Sequence, residues 1–244
     1  MSFNDYNKEF TESSFIELKK FLKWMNDKKG IIPIIIGGWA VYAYNPVIGS
    51  KDIDVVVPTS RDIEKNLLEE YFLANNFKVK KDMYFNPKYY YKEIVADGIT
   101  KEIIFDVFIG ESMKEDEENL GITLNWKTTL ENQEERQIED LSLYVPQREL
   151  LIVLKIIAAL ERSAKYDKQA DVQISSKIWK DYHDIAALVA GQTLKTESLR
   201  KYMRETNITR HIDNFLMKYG QKEYGETLAK FGIDYKEIEA LLKF

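Results

Sequence analysis

Cysteine is absent from this 244-residue chain, which excludes disulfides and thiolate metal sites. Histidine occurs only twice, as His183 and His211, too few for an ordinary zinc site. No apolar run approaches the roughly 20 residues that a membrane-spanning helix needs. The opening Met1-Ser2-Phe3-Asn4-Asp5-Tyr6-Asn7-Lys8 lacks the charged-then-apolar plan of a signal peptide. Cytoplasmic residence without a membrane partner is therefore the expectation. A large excess of positive charge is missing too. The formal net charge is −5, which excludes a strongly basic nucleic-acid sponge. Charge is unevenly placed, however: residues 146–244 carry 17 Lys and Arg against 14 Asp and Glu, whereas residues 1–145 are acidic. With 45% apolar and 31% charged residues, the chain can bury a real core.

What is present is concentrated between residues 34 and 57. Ile34-Ile35-Ile36 runs into Gly37-Gly38, then Trp39-Ala40-Val41-Tyr42-Ala43-Tyr44, a polar turn, and Asp52-Ile53-Asp54-Val55-Val56-Val57. Paired glycines at the end of an apolar run permit a tight turn and close approach of a phosphate. A short helix should follow, its first N–H groups suited to an anion. Alternation along a strand would put Asp52 and Asp54 on one face with Ile53 behind. Oxygen-only ligands of this kind favour Mg²⁺, with Mn²⁺ as the alternative ion, held together with substrate phosphates.

Gly-Gly followed at this distance by Asp-apolar-Asp resembles the signature of the nucleotidyltransferase fold, the polymerase-beta-like superfamily. Such proteins carry a third carboxylate on a neighbouring strand, and Phe105-Asp106-Val107, within Glu102–Ile109, fits that place. The resemblance implies that Asp52, Asp54 and Asp106 bind metal and catalyse transfer, and that Gly37 and Gly38 approach the phosphates of a nucleoside triphosphate.

Organisation supports an α+β catalytic domain over residues 1–145 and a helical domain over 146–244. Ser14-Phe15-Ile16-Glu17 has the pattern of a capping box and predicts a helix from there to near Gly30, with Phe15, Leu18, Phe21, Leu22 and Met25 inward. Pro33 limits the apolar run Ile31–Ile36 to starting a strand there or to lying where no ladder donor is needed. Pro58-Thr59-Ser60 announces a helix with Ile63, Leu67, Leu68, Tyr71 and Phe72 on one side. Strands over 89–96 and 102–109 flank Asp97-Gly98, a hairpin signal. Segments 111–120 and 131–140 read as acidic turns, the second leading to a short strand over 141–145. A mixed sheet with flanking helices results. From Pro146 onward the pattern is helical, with breaks near 164–174, Gly191 and Gly220.

In the helical part, Lys155 lies within an otherwise apolar run, Leu150–Leu160. A buried ammonium is costly unless paired or facing a cleft; its stem could also pack while the charge reaches water. Lys180-Asp181-Tyr182-His183-Asp184-Ile185 follows on the next helix, where Lys180 and Asp184 stand at the spacing of an exposed i,i+4 pair. His183 reads as a solvated residue. Both segments resemble those of abortive-infection-type, toxin-like members of the superfamily. That resemblance implies nucleotide binding by Lys155, Lys180 and Asp181. It also implies a Mg²⁺-dependent transfer from a nucleoside triphosphate to a hydroxyl acceptor, tRNA or protein, and an antitoxin partner. An antibiotic-modifying transferase and a catalytically silent binding module are the alternatives. Relatives often place an Arg shortly before the Asp-x-Asp pair; this chain has Lys51.

Overall fold

The structure is a computed structural model describing residues 8–58, 61–81, 87–96, 98–110, 112–114, 118–191, 193–220 and 222–243. The chain divides into two compact units, Met1–Ser112 with Asn125–Pro146, and Met113–Leu124 with Gln147–Phe244. Residues 113–124 thus group with the helical part of the chain.

In the first unit, α1 (Lys8–Lys29) begins well before the expected capping box. Ser14 lies inside the helix, wholly buried, and its Oγ accepts a hydrogen bond from Trp39 Nε1 at 3.1 Å. The Ser-x-x-Glu pattern was therefore no helix start: its serine serves a tryptophan, and its Glu17 binds Lys20 and Lys92. The expected end holds. Gly30, at φ +61°, follows α1, and Ile31 N donates to Met25 O at 3.2 Å, closing the last turn.

Strands follow as β1 (Ile34–Ile36), β2 (Ile53–Val57), β3 (Lys78–Lys81), β4 (Pro87–Ala96), β5 (Ile99–Ile109), β6 (Met113–Lys114), β7 (Leu124–Asn125), β8 (Gln133–Ile138) and β9 (Leu141–Pro146). The main sheet has the order β3-β4-β5-β2-β1-β9-β8. It is mixed: β2 runs parallel to β5 and β1 to β9, while the remaining neighbours are antiparallel. Gly98, at φ +72°, stands in the β4–β5 connection; Asp97, Thr59, Ser60 and the Ile63 side chain lie outside the described residues.

Burial follows the pleat. Ile53, Val55, Tyr90 and Phe105 turn to one face and meet Phe21 of α1, Tyr71 and Phe72 of α3 (Arg61–Ala74), and Phe77. Phe72 and Tyr90 stack with ring centroids 3.9 Å apart. Aromatic pairs of this kind contribute about 0.5–1.5 kcal/mol each beyond their burial. The opposite face carries Asp54 and Asp106, and further along the strands Phe108, which packs on Trp126 of α4 (Trp126–Glu131) at 4.5 Å.

The short helix α2 (Gly37–Tyr44) follows β1 with no linker. Its last residue, Tyr44, places its hydroxyl 2.8 Å from Glu134 Oε1 and 2.7 Å from Pro146 O, under the Arg136 guanidinium. Burial, and then Glu134, push that phenol's pKa up. The helix is therefore fixed at both ends.

The second unit is built on α5 (Arg148–Lys168) and α6 (Val172–Val189), joined by a turn in which Asp171 caps α6 by accepting from Gln173 N at 2.6 Å. Then come α7 (Thr196–Glu205), a 3₁₀ turn over Ile208–His211, α8 (Ile212–Tyr219), α9 (Lys222–Lys230) and α10 (Tyr235–Leu242). Tyr182 of α6 packs edge-on against Phe215, Tyr219 and Tyr224. Segment 113–124 joins this unit through Thr123 N, which donates to Thr206 O at 3.0 Å, and Arg210, which donates to the Leu120 and Gly121 carbonyls, each at 2.7 Å.

Candidate functional site

Asp54 and Asp106 are register partners on the parallel strands β2 and β5. Residues paired in this way project from the same face of the sheet, so the two carboxylates stand side by side. Both are half-buried, whereas their flanking neighbours Ile53 and Phe105 are wholly buried on the other face. Asp52 sits in a bend one residue before β2, so strand alternation does not extend to it. Its Oδ1 is nevertheless buried and lacks a hydrogen-bond partner. A buried carboxylate oxygen left unsatisfied is costly and calls for a donor or a cation.

Gly37 explains itself through Asp54. The glycine adopts φ +66°, a conformation that side chains disfavour. A β-carbon built on it would lie 1.9 Å from Asp54 Oδ2. The first turn of α2 is therefore pressed against the carboxylate row, and only a residue without a side chain permits it. Gly38, the next residue, is buried.

The donor set of the first unit suits a hard cation. Two adjacent carboxylates and one orphaned carboxylate oxygen are all-oxygen ligands, the kind Mg²⁺ takes when substrate phosphates complete its shell. Among the described residues, no group of three or more His, Cys, Asp or Glu forms a ready cage. An ion arriving with a triphosphate needs no such cage.

The second unit holds a separate cluster. Lys155 Nζ lies 2.6 Å from Asp184 Oδ2 and 3.6 Å from Asp181 Oδ1. Lys180 Nζ lies 2.9 Å from Asp184 Oδ2, and Arg162 binds Asp181. Lys155 and Lys180 are 8% and 7% exposed, and both aspartates 1%. Burial pulls the Lys155 pKa down, but Asp184 and Asp181 outweigh it, so the group titrates above the ordinary lysine range. Burial pushes Asp184 up, and Lys155 and Lys180 overcome it, leaving that carboxylate below its usual range. Among these five groups, three are cationic and two anionic.

Two residues of this cluster differ from their sequence reading. Asp184 is no surface partner of Lys180: it is the anion that both lysines share. The i,i+4 spacing foretold the pair but not its burial. His183 is 5% exposed, not solvated, between Trp179 and Phe231 rings at 5.4 and 4.9 Å. Burial lowers its pKa to about 4, and its Nδ1 is buried without a hydrogen-bond partner. Trp179, one turn earlier on α6, is a local signal of this; Phe231, just after α9, is far away in sequence.

Comparison with known proteins adds the following. The family model described as "Nucleotidyl transferase AbiEii toxin, Type IV TA system" matches residues 49–242. No curated protein matches. Among solved structures, an antigenic nucleotidyltransferase-like protein from Paracoccidioides brasiliensis is 14% identical, with 85% of this chain and 91% of that one covered and a TM-score of 0.46. The antibiotic-resistance factor ANT(2'')-Ia is 16% identical in its solution structure, covering 86% of this chain and 99% of its own, with a TM-score of 0.45. Its crystal structure with adenylyl-2"-tobramycin is 18% identical, covering 79% and 98%, with a TM-score of 0.45.

Proposed function

This chain belongs to the family of AbiEii nucleotidyltransferase toxins, and from that premise we propose that this enzyme moves a nucleoside monophosphate from a nucleoside triphosphate to a hydroxyl acceptor, with Mg²⁺ at Asp52, Asp54 and Asp106. The observation that carries the reading is the registered pair Asp54–Asp106 with Gly37 packed against Asp54. Bound at these carboxylates, Mg²⁺ supplies charge neutralisation for the α-phosphate and acidifies the attacking hydroxyl. Gly37 and Gly38 let the triphosphate come close to the backbone at the start of α2. Asp106 takes the proton of the attacking hydroxyl. The acceptor oxygen then bonds to the α-phosphorus, the bond from that phosphorus to the bridging oxygen breaks, and pyrophosphate leaves.

Lys155 and Lys180 are our proposed phosphate contacts in the helical unit, with Asp181 and Asp184 orienting their ammonium groups. The support is the clustering of Lys155, Lys180 and Arg162 around two buried carboxylates that hold their charged ends in place. A cytoplasmic location fits the absence, among the described residues, of any helix long and apolar enough to cross a membrane. An antitoxin partner is proposed from the family's description as part of a type IV toxin–antitoxin system. The test is incubation with labelled nucleoside triphosphates, Mg²⁺ and a panel of tRNA, proteins and hydroxyl-rich antibiotics. Wild type should label one of them and release pyrophosphate, and Asp54→Asn should not. Undiminished transfer by Asp54→Asn and Asp106→Asn would remove the assignment.

A further inference from the structure

The carboxylate face does not end at Asp106. Next to β5 lies β4, where Tyr90 pairs with Phe105 and turns to the aromatic core. Its neighbours Tyr89 and Tyr91 therefore turn the other way, onto the face of Asp106 and Asp54. Register continues to the sheet edge: Lys80 of β3 pairs with Tyr89, and Lys78 with Tyr91. Contacts confirm the shared face. Lys80 Nζ lies 5.6 Å from the Tyr89 ring centroid, Lys78 Nζ lies 5.7 Å from that of Tyr91, and the two rings are 6.2 Å apart. Both tyrosines are half-exposed and both lysines exposed. Asp106 and Tyr89 each stand one residue past the Phe105–Tyr90 pair, so this face carries Asp54, Asp106, Tyr89 and Lys80 on successive strands, with Gly37 of α2 against Asp54.

Resting on the transfer reading above, we infer that Tyr89, Tyr91, Lys78 and Lys80 form the acceptor platform, and that it takes the unpaired end of an RNA strand. The sides of the row decide which substrate lies here. In-line displacement places leaving and attacking oxygens on opposite sides of the phosphorus. Gly37 marks the triphosphate side of Asp54; the platform lies beyond Asp106, on the side of the attacking hydroxyl. The residue types decide the chemistry. Two aromatic rings suit unstacked bases, and two ammonium groups at the rings suit the phosphates between them. Glu93, 3.0 Å from Lys78, and its register partner Glu102 bound the platform toward the β4–β5 turn. A base-paired end hides the ring faces that the tyrosines would stack on.

The experiment uses the full chain and a fluorescent single-stranded RNA oligonucleotide, with a blunt duplex of the same sequence and a nucleoside triphosphate as comparators. Tyr89→Ala and Tyr91→Ala should each weaken oligonucleotide binding about tenfold, the equivalent of about 1.4 kcal/mol of lost stacking. Triphosphate affinity should stay unchanged in both. Tyr91→Phe should keep most of the binding, and Lys80→Gln, an exposed change with no folding cost, should flatten its salt dependence. Unchanged oligonucleotide binding in all of these variants would overturn the platform, as would equal affinity for the duplex. Labelling of a protein or small molecule instead of RNA would overturn it while leaving nucleotidyl transfer intact; absence of any transfer would instead strike the parent reading.

Discussion

Gly37 and Asp54 are so close that a methyl group on the glycine would occupy the space of a carboxylate oxygen, 1.9 Å away. Gly37→Ala should therefore do two kinds of damage. The φ of +66° costs about 1–2 kcal/mol for any side chain, and the clash pushes Asp54 out of register with Asp106. Gly30 is the internal comparison, since it has φ +61° and open space around it. Gly30→Ala should lower thermal stability alone, whereas Gly37→Ala should also abolish transfer. Equal transfer rates in the two variants would show that the close approach does not shape the site.

Ser14 offers a test of how α2 is seated. Its hydroxyl is the acceptor for the Trp39 indole N–H in a buried site. Ser14→Ala leaves that donor unsatisfied, a loss of about 1–3 kcal/mol. Chemical denaturation should show it as a lower midpoint with an unchanged slope. A midpoint equal to wild type would mean that the indole finds another acceptor.

The parts of this molecule legible in sequence are those whose signal is local. Gly37-Gly38 and Asp52-Ile53-Asp54 lie within one β-α-β stretch, and the strand and helix they imply are present. The triplet Tyr89-Tyr90-Tyr91 is uninformative in the sequence, since alternation alone does not say which ring is the core one; the structure buries Tyr90. The edge strands were illegible for a definite reason. Lys78-Val79-Lys80-Lys81 and Gln133-Glu134-Glu135-Arg136-Gln137-Ile138 pair on one side only, so neither needs an apolar alternation. Charge at an edge blocks further pairing but reads as a turn. Asp184 and His183 failed for the opposite reason: part of their burial comes from Lys155 of α5 and from Phe231 just after α9, which lie far from them in sequence.

Lys155 now carries a different stability expectation. Sequence alone suggests that Lys155→Met leaves stability intact or slightly raised. With Asp184 Oδ2 at 2.6 Å, removing the ammonium breaks a buried ion pair, a change that costs about 3–5 kcal/mol when nothing compensates. Asp184 retains Lys180 and Asp181 retains Arg162, so the low end of that range is expected. Asp184→Asn should cost more, because it leaves two buried lysines without their shared anion. A double-mutant cycle in urea checks this. Additive losses from the two substitutions would show that the pair is not energetically coupled. Triphosphate affinity, measured on the same variants, separates the phosphate-contact role from the structural one.

His183 sets the acid limit of the helical unit. Its folded pKa is about 4, lowered chiefly by burial and further by Lys180 and Lys230, with Asp184 opposing. In the unfolded chain the imidazole titrates near 6.5, so below that pH the unfolded state binds the extra proton and is favoured. Stability is complete above pH 6.5 and falls as pH drops toward 4, by at most about 3 kcal/mol. The Asp184 contribution, from a depressed carboxylate pKa, is lost only below the ordinary carboxylate range, so the two windows separate. His183→Phe keeps a ring between Trp179 and Phe231 and removes the titration. Urea unfolding of wild type at pH 7, 6, 5 and 4.5 should show stability falling across the series, while the variant loses less over the same steps. Parallel losses in the two proteins would mean that some group other than His183 takes up the proton.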